Sequence, residues 1–326
     1  MDKHYYQLAQ QTWQSKAKPL GSLGLLEEQV TVLCALKKTL TPSIRKRAVV
    51  IFCADNGVVE EGVTQTGQEV TRIVSEQIAS GRSSVNRMAE VAKADVLVVD
   101  AGMAPNGTAN ISKGPAMTAE RFEEALELGR ETARRLAASG YELLAAGEMG
   151  IGNTTTSSAV AAVLLGKDPE EVTGKGAGLS DEALLRKVDV IRTAISVNDP
   201  DPKDAAEVLR TVGGLDLAAM CGFYLGASEL DLPVYFDGFP SAVAALCTVR
   251  MDPAAADALF ASHVSAEPAG QMVLDALGKQ APIHAGMRLG EGTGAVAAIP
   301  LLEMALNVFE ESYTFEEGGI DPYQPL

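Results

Sequence analysis

The pentapeptide Gly290-Glu291-Gly292-Thr293-Gly294 sets one carboxylate among three residues that have no side chain. Bare backbone on both sides leaves open space in front of Glu291. A carboxyl turned into a partly desolvated pocket binds its proton more tightly, which suits a general base working near neutral pH. A glutamate in a flexible surface turn uses the same residues, so the pentapeptide alone leaves both readings open.

Three other segments could hold a ligand. Gly147-Glu148-Met149-Gly150-Ile151-Gly152-Asn153-Thr154-Thr155 follows an apolar run and opens an Ala- and Val-rich helix, the setting in which free N–H groups bind phosphate. It is not a dinucleotide fingerprint, because Thr155 stands where the third glycine belongs, and no P-loop lysine follows. A capped glycine turn remains the alternative. Gly174-Lys175-Gly176-Ala177-Gly178 is a second turn, followed by Lys187 on the next helix. Either lysine could neutralise a phosphate, although most lysines are simply solvated. Residues 262–270 gather Ser262, His263, Ser265 and Glu267, which serve equally as a capping box with a structural histidine. His4, His263 and His284 offer no pair on one helix face and Cys34, Cys53, Cys221 and Cys247 are scattered, so no metal site is expected.

These residues need a scaffold, and the apolar runs indicate which one. Residues 48–53, 94–100, 143–146 and 233–237 are short, apolar and closed by Gly or Asp, as strands covered on both faces are. Helical stretches are predicted over 68–92, 119–139, 155–165, 181–198, 204–212, 215–230 and 295–309. The alternation implies an α/β fold: a doubly wound, mostly parallel sheet with helices on both faces, whose ligands bind at the carboxyl ends of the strands. The polar segments 54–57, 100–103, 147–153 and 237–241 all follow strands and become site candidates. Residues 1–40, helical but broken at 18–24, are expected to join residues 300–326 in a small helical lobe beside a large domain of residues 41–299.

Composition narrows the partners. A chain of 326 residues, 47% hydrophobic, can bury a large core, and its net charge of −16 opposes non-specific binding to nucleic acid or anionic lipid. A small-molecule substrate fits better. The amino terminus is polar and no run approaches the length of a membrane span, so a cytoplasmic protein with reduced cysteines is expected.

Taken in order, six segments make the chain resemble the nicotinate-nucleotide–dimethylbenzimidazole phosphoribosyltransferase family of cobalamin lower-ligand assembly. They are 18–24, 54–71, 147–155, 174–179, 262–268 and 288–295, and they span nearly the whole sequence. The resemblance implies a homodimer without a cofactor, transferring ribose 5-phosphate from nicotinate mononucleotide to a benzimidazole-type base with inversion at the anomeric carbon. It implies Glu291 as the catalytic base. Around the nucleotide it implies Glu148, Gly150, Gly152, Asn153, Gly176, Lys187, Ser265, Gly290 and Gly292, and around the attacking base Gln68, Met149 and Leu289. The chain departs from the family pattern at Asn56, where a histidine is common, and at Pro240 and Val264, which leaves the identity of the accepted base open. A nucleotide hydrolase in which Glu291 activates water, and a nucleotide sensor without chemistry, are the rival readings.

Overall fold

The computed structural model describes residues 1–323. Its centre is a five-stranded, all-parallel sheet of β1 Arg47–Ala54, β2 Asp95–Gly102, β3 Leu143–Met149, β4 Val234–Phe236 and β5 Leu259–Ala261, in the order β2-β1-β3-β4-β5. Helices α1 Lys3–Ser15 and α2 Leu25–Lys37 precede the sheet, and α3 Glu69–Ala79 and α4 Ser84–Ala92 join β1 to β2. Helix α5 Ala119–Ala138 leads into β3. Between β3 and β4 lie α6 Asn153–Leu165, α7 Pro169–Val172, α8 Asp181–Asn198, α9 Ala205–Val212 and α10 Leu215–Glu229. Helix α11 Phe239–Met251 joins β4 to β5, and α12 Gly270–Leu277, α13 Thr293–Glu311 and α14 Phe315–Gly318 end the chain.

Every residue of β1 is buried, so its apolar run is continuous rather than alternating. Ala48, Val50, Phe52 and Ala54 face one apolar cluster with α5, α6, α10 and α11, while Val49, Ile51 and Cys53 face a second with α2, α4 and α13. This is the doubly wound arrangement the alternation predicts.

Helices α5 and α10 touch along their backbones. A Cβ at Gly129 would lie 2.0 Å from the Ala219 carbonyl oxygen, and one at Gly222 would lie 1.9 Å from that of Leu126. The chain ends meet as well: the Trp13 ring packs edge-on against Phe309, 4.9 Å between centroids, and the Lys16 ammonium donates to the Ser312 carbonyl at 2.8 Å. These contacts favour the proposed lobe of residues 1–40 with those from 300 onward, of which 324–326 lie outside the described residues. Helix α13 passes through Pro300 without a break, so the lobe shares that helix with the core.

Several expectations need correction. The stretch 68–92 is two helices, because Gly81 takes a left-handed conformation and Ser83 with Asn86 forms a capping box that starts α4 afresh. Helix α11 is absent from the helical stretches expected, and Phe239 and Pro240 of the site-candidate segment 237–241 open it. Strand β5 has no counterpart in the sequence reading. Helix α13, with 19 residues, is long and apolar enough to cross a membrane by length and composition alone, contrary to the expectation that no run comes close. Here it is a core helix, with Ala295, Val296, Ile299 and Leu302 buried against the sheet.

The α5–α10 contact predicts that Gly222→Ala lowers the unfolding free energy by about 2 kcal/mol, since the backbones must part to admit a methyl group. Denaturant unfolding measures it, and an unchanged midpoint would contradict the close approach.

Candidate active site

The strand order reverses between β1, which continues outward to β2, and β3, which continues to β4 and β5. Ligands of such sheets bind in the crevice at that reversal, beyond the carboxyl ends of the strands. Asp55 and Asn56 leave β1 there, Glu148 and Met149 end β3 and Gly150 to Gly152 leave it, Asp237 leaves β4, and Ser262 to Ser265 leave β5. The 290–294 turn lies across the end of β3. A Cβ at Gly147 would sit 2.1 Å from the Gly292 nitrogen, and one at Gly290 would sit 2.6 Å from Oε1 of Glu148. Only glycine at both places lets the turn touch the strand.

Gly290, Glu291 and Gly292 are all left-handed, with φ of 81°, 58° and 75°. For Glu291, which has a Cβ, this conformation is unfavourable and needs support from its surroundings. Asp237 supplies it. Its Oδ2 accepts from Gly292 N–H at 3.0 Å, and its Oδ1 accepts from Gly294 N–H at 2.7 Å and Ala295 N–H at 3.1 Å. The free amides at the start of α13 therefore end on one buried carboxylate. Burial, followed by the negative charge of Asp237, raises the pKa of the Glu291 carboxyl above the ordinary carboxylate range.

Beside the turn, Glu148 and Asp216 are linked by one amide: Nδ2 of Asn153 donates to Oε2 of Glu148 and, at 3.2 Å, to Oδ2 of Asp216. Both carboxyls are buried. Desolvation, followed by the charges of Asp216, Asp237 and Glu291, pushes Glu148 up to about 8, and desolvation pushes Asp216 up to about 6. Glu148 thus holds its proton at neutral pH. Gly150 closes the same corner, where a Cβ would meet the Ala54 carbonyl at 2.7 Å and Asp216 at 3.0 Å. Oδ1 of Asp55 and Oδ1 of Asn56 are buried here without a hydrogen-bond partner.

The cation lies a few residues along. Lys187 on α8 is buried, and its ammonium donates to Thr154 Oγ1 at 2.8 Å and the Gly174 carbonyl at 3.1 Å. Burial pushes its pKa down to about 8, against the attraction of Glu267. Gly176 adjoins the same pair, its absent Cβ 3.0 Å from Thr154 Oγ1 and 3.7 Å from the ammonium. Ser265 is buried and accepts from Glu267 N–H at 3.3 Å. Lys175, the other lysine considered, instead pairs with Asp181 at 2.5 Å in a half-exposed position.

The three residues assigned to the attacking base are less uniform. The Gln68 amide donates to the Asn56 carbonyl at 2.8 Å, which anchors it beside the crevice. Met149 is almost wholly buried in the apolar cluster of α13, and Leu289 stands 57% exposed just before the turn. The site therefore brings Glu291, Gly290, Gly292, Glu148, Gly150, Asn153 and Gln68 into one crevice, with Gly152 starting α6 and Lys187 and Gly176 gathered around Thr154, the residue after Asn153. Two hollows elsewhere, about 600 Å³ beside Leu26 and His284 and about 460 Å³ beside Arg186, touch none of the carboxyls just described.

Asp237 and Thr154 lie in segments that the sequence marks, 237–241 and 147–155, but without a role of their own, and Asp216 lies in none of them. A signal existed for two of them: Asp237 closes a strand run, and Asp216, after Gly213-Gly214-Leu215, is the only charge of an apolar helix before Glu229 at its end.

The chain is similar to known proteins. A family model described as phosphoribosyltransferase matches residues 1–320. A nicotinate-nucleotide–dimethylbenzimidazole phosphoribosyltransferase of Acetivibrio thermocellus is 43% identical, over 98% of this chain and 94% of its own. One of the same name from Thermus thermophilus is 42% identical, over 98% of this chain and 99% of its own. A crystal structure of CobT from Thermus thermophilus superposes with a TM-score of 0.93 at 41% identity, covering 98% of this chain and all of that one.

The raised carboxyl of Glu148 has a consequence for stability. Folded Glu148 keeps its proton up to about 8, whereas in the unfolded chain it loses it near 4.5. Between these values the folded state binds more protons, so this group makes stability fall with rising pH, by at most about 1.4 kcal/mol per unit. Glu148→Gln is expected to flatten that fall between pH 5 and 8 in denaturant titrations, leaving the smaller slope due to Asp216. An identical pH dependence in variant and wild type would show that Glu148 is ionised throughout.

Proposed function

The chain belongs to the nicotinate-nucleotide–dimethylbenzimidazole phosphoribosyltransferase family, and from that premise we propose that Glu291 is the base with which it transfers ribose 5-phosphate to a lower-ligand base. The donor is nicotinate mononucleotide and the acceptor 5,6-dimethylbenzimidazole or a related base. The products are nicotinate and alpha-ribazole 5'-phosphate, for the nucleotide loop of cobalamin. The observation that carries the role of Glu291 is its half-buried carboxyl, raised in pKa and held in a left-handed turn against the strand end.

The chemistry needs one proton acceptor. Nicotinate is a pyridinium in the donor, so when the glycosidic bond breaks, its electron pair neutralises the ring nitrogen and no acid is required. One nitrogen of the acceptor attacks the anomeric carbon from the opposite face while Glu291 takes the proton from the other nitrogen. Hydrolysis of a glycoside by water ordinarily needs two carboxyls, and this transfer does not. Glu148, protonated at neutral pH, can donate to the nucleotide instead of repelling it. Lys187 and the amides at the start of α6 are suited to its phosphate. The remaining contribution is to hold two ligands in line in a crevice that excludes water.

Gln68, Met149 and Leu289 are the residues we place around the acceptor. The family likeness supports a homodimer acting in the cytoplasm.

Incubation with nicotinate mononucleotide, with and without 5,6-dimethylbenzimidazole, separates the readings. Nicotinate release that requires the base is expected; release without it would indicate a hydrolase, and none with any benzimidazole a sensor. In Glu291→Gln, kcat is expected to fall by roughly 10²–10⁴ with nucleotide affinity retained. A wild-type kcat would remove Glu291 from the role. For Lys187→Ala the KM for nicotinate mononucleotide is expected to rise on the order of tenfold, as loss of a charge-assisted phosphate contact requires, and a wild-type KM would return Lys187 to a structural part.

A further inference from the structure

Asp237 does more at this site than the assignment of Glu291 requires. It is 1% exposed, and its carboxylate collects the N–H groups of Gly292, Gly294 and Ala295. Two of these lie in the first turn of α13, and the third belongs to the residue following Glu291. The Ser262 hydroxyl donates to the Asp237 carbonyl at 3.4 Å, and the His263 ring nitrogen Nδ1 stands 3.8 Å from Oδ1. That ring presses on the backbone the carboxylate holds, since a Cβ at Gly294 would fall 1.9 Å from Nδ1. The ends of β4 and β5, the 290–292 turn and the start of α13 thus converge on one side chain.

Resting on the reading of Glu291 as the base, we propose that Asp237 is the positioning residue of the transfer, holding the Glu291 turn against the end of β3 through its three N–H bonds. Aspartate suits this place for a steric and a chemical reason. Both oxygens are used, one towards Gly292 and one towards Gly294 and Ala295. Asparagine has the same shape, but whichever way its amide turns, an NH₂ faces an N–H donor.

Asp237 also acts through its charge. The carboxyls facing Glu291 are Asp237 from β4 and Glu148 from β3, with Asp216 of α10 behind Glu148 and His263, after β5, against Asp237. Burial raises Glu291 most, and the charge of Asp237 raises it further. Replacement of Asp237 by a neutral side chain therefore lowers the pKa of Glu291 and moves the acid limb of kcat/KM to lower pH.

The test is Asp237→Asn with two readouts. ¹³C-carboxyl NMR follows the titration of Glu291 without substrate, its resonance identified by its loss in Glu291→Gln, while base-dependent nicotinate release supplies the pH–rate profile. The Glu291 midpoint is expected to fall. At neutral pH, kcat should fall about tenfold or more, while the KM for nicotinate mononucleotide stays within about threefold. An unmoved midpoint together with near-wild-type kcat overturns the inference. A midpoint that moves without the rate profile following it supports the role of Asp237 and removes Glu291 as the base. Should Asp237→Asn not fold, amide hydrogen exchange in the wild type decides. Protection of Gly292, Gly294 and Ala295 by about a hundredfold or more over a free turn is expected, and exchange at free-turn rates overturns the inference.

Discussion

The start of α13 ends on the carboxylate of Asp237, and the shape of the site follows from that contact. An unanchored helix start leaves several amides without partners, and a left-handed glutamate between two glycines has many other conformations open to it. Asp237, fixed at the end of the buried strand β4, satisfies Gly292, Gly294 and Ala295 and so docks the last long helix onto the sheet. Gly147 and Gly290 then permit a contact that any side chain would block. The turn has one place to be, and Glu291 is carried with it.

The charges around that turn follow a consistent order. A chain of net charge −16 has to receive an anionic nucleotide, and its crevice contains Glu148, Asp216, Asp237 and Glu291. Crowding and burial resolve the conflict by protonation: Glu148 is pushed up to about 8, and its charge is absent when the ligand arrives. Lys187 supplies the positive charge from a buried position, where water screens it little. Glu291 is less buried than Glu148, and its carboxyl too is raised, by burial and then by the charge of Asp237.

Much of the fold is legible in the sequence because strands such as β1 and β3 are buried on both faces, although the edge strand β2 is not. Runs such as 48–53 and 143–146 stand out from the helices around them, and the helix 181–198 is read to the residue because Ser180 caps it. Strand β5 is not legible: Leu259-Phe260-Ala261 is too short to show any period, and pairing with β4 creates it. Helix α11 is hidden by Gly238 and Pro240, which signal a turn although proline in the first turn of a helix is favourable. Within the site, the glycine segments and Glu291 are visible because their chemistry is local. The partnership of Glu148 with Asp216 and the hold of Asp237 on Gly292 are not, since they join residues brought together only when the sheet closes. The roles of Asn56 and Gln68 combine the two cases: each is visible as a residue, and their hydrogen bond is visible only in the fold.

The central claim is that Glu291 has one task, removing a proton from the incoming base. An acceptor that carries no such proton tests it most directly. 1,5,6-Trimethylbenzimidazole can attack through its unsubstituted nitrogen and forms a cationic product without any deprotonation. The account predicts that wild type and Glu291→Gln transfer ribose 5-phosphate to this acceptor at similar rates, while the variant is slow with 5,6-dimethylbenzimidazole. If Glu291→Gln slows both acceptors by the same factor, Glu291 acts by something other than taking the proton, and the account is wrong at its centre.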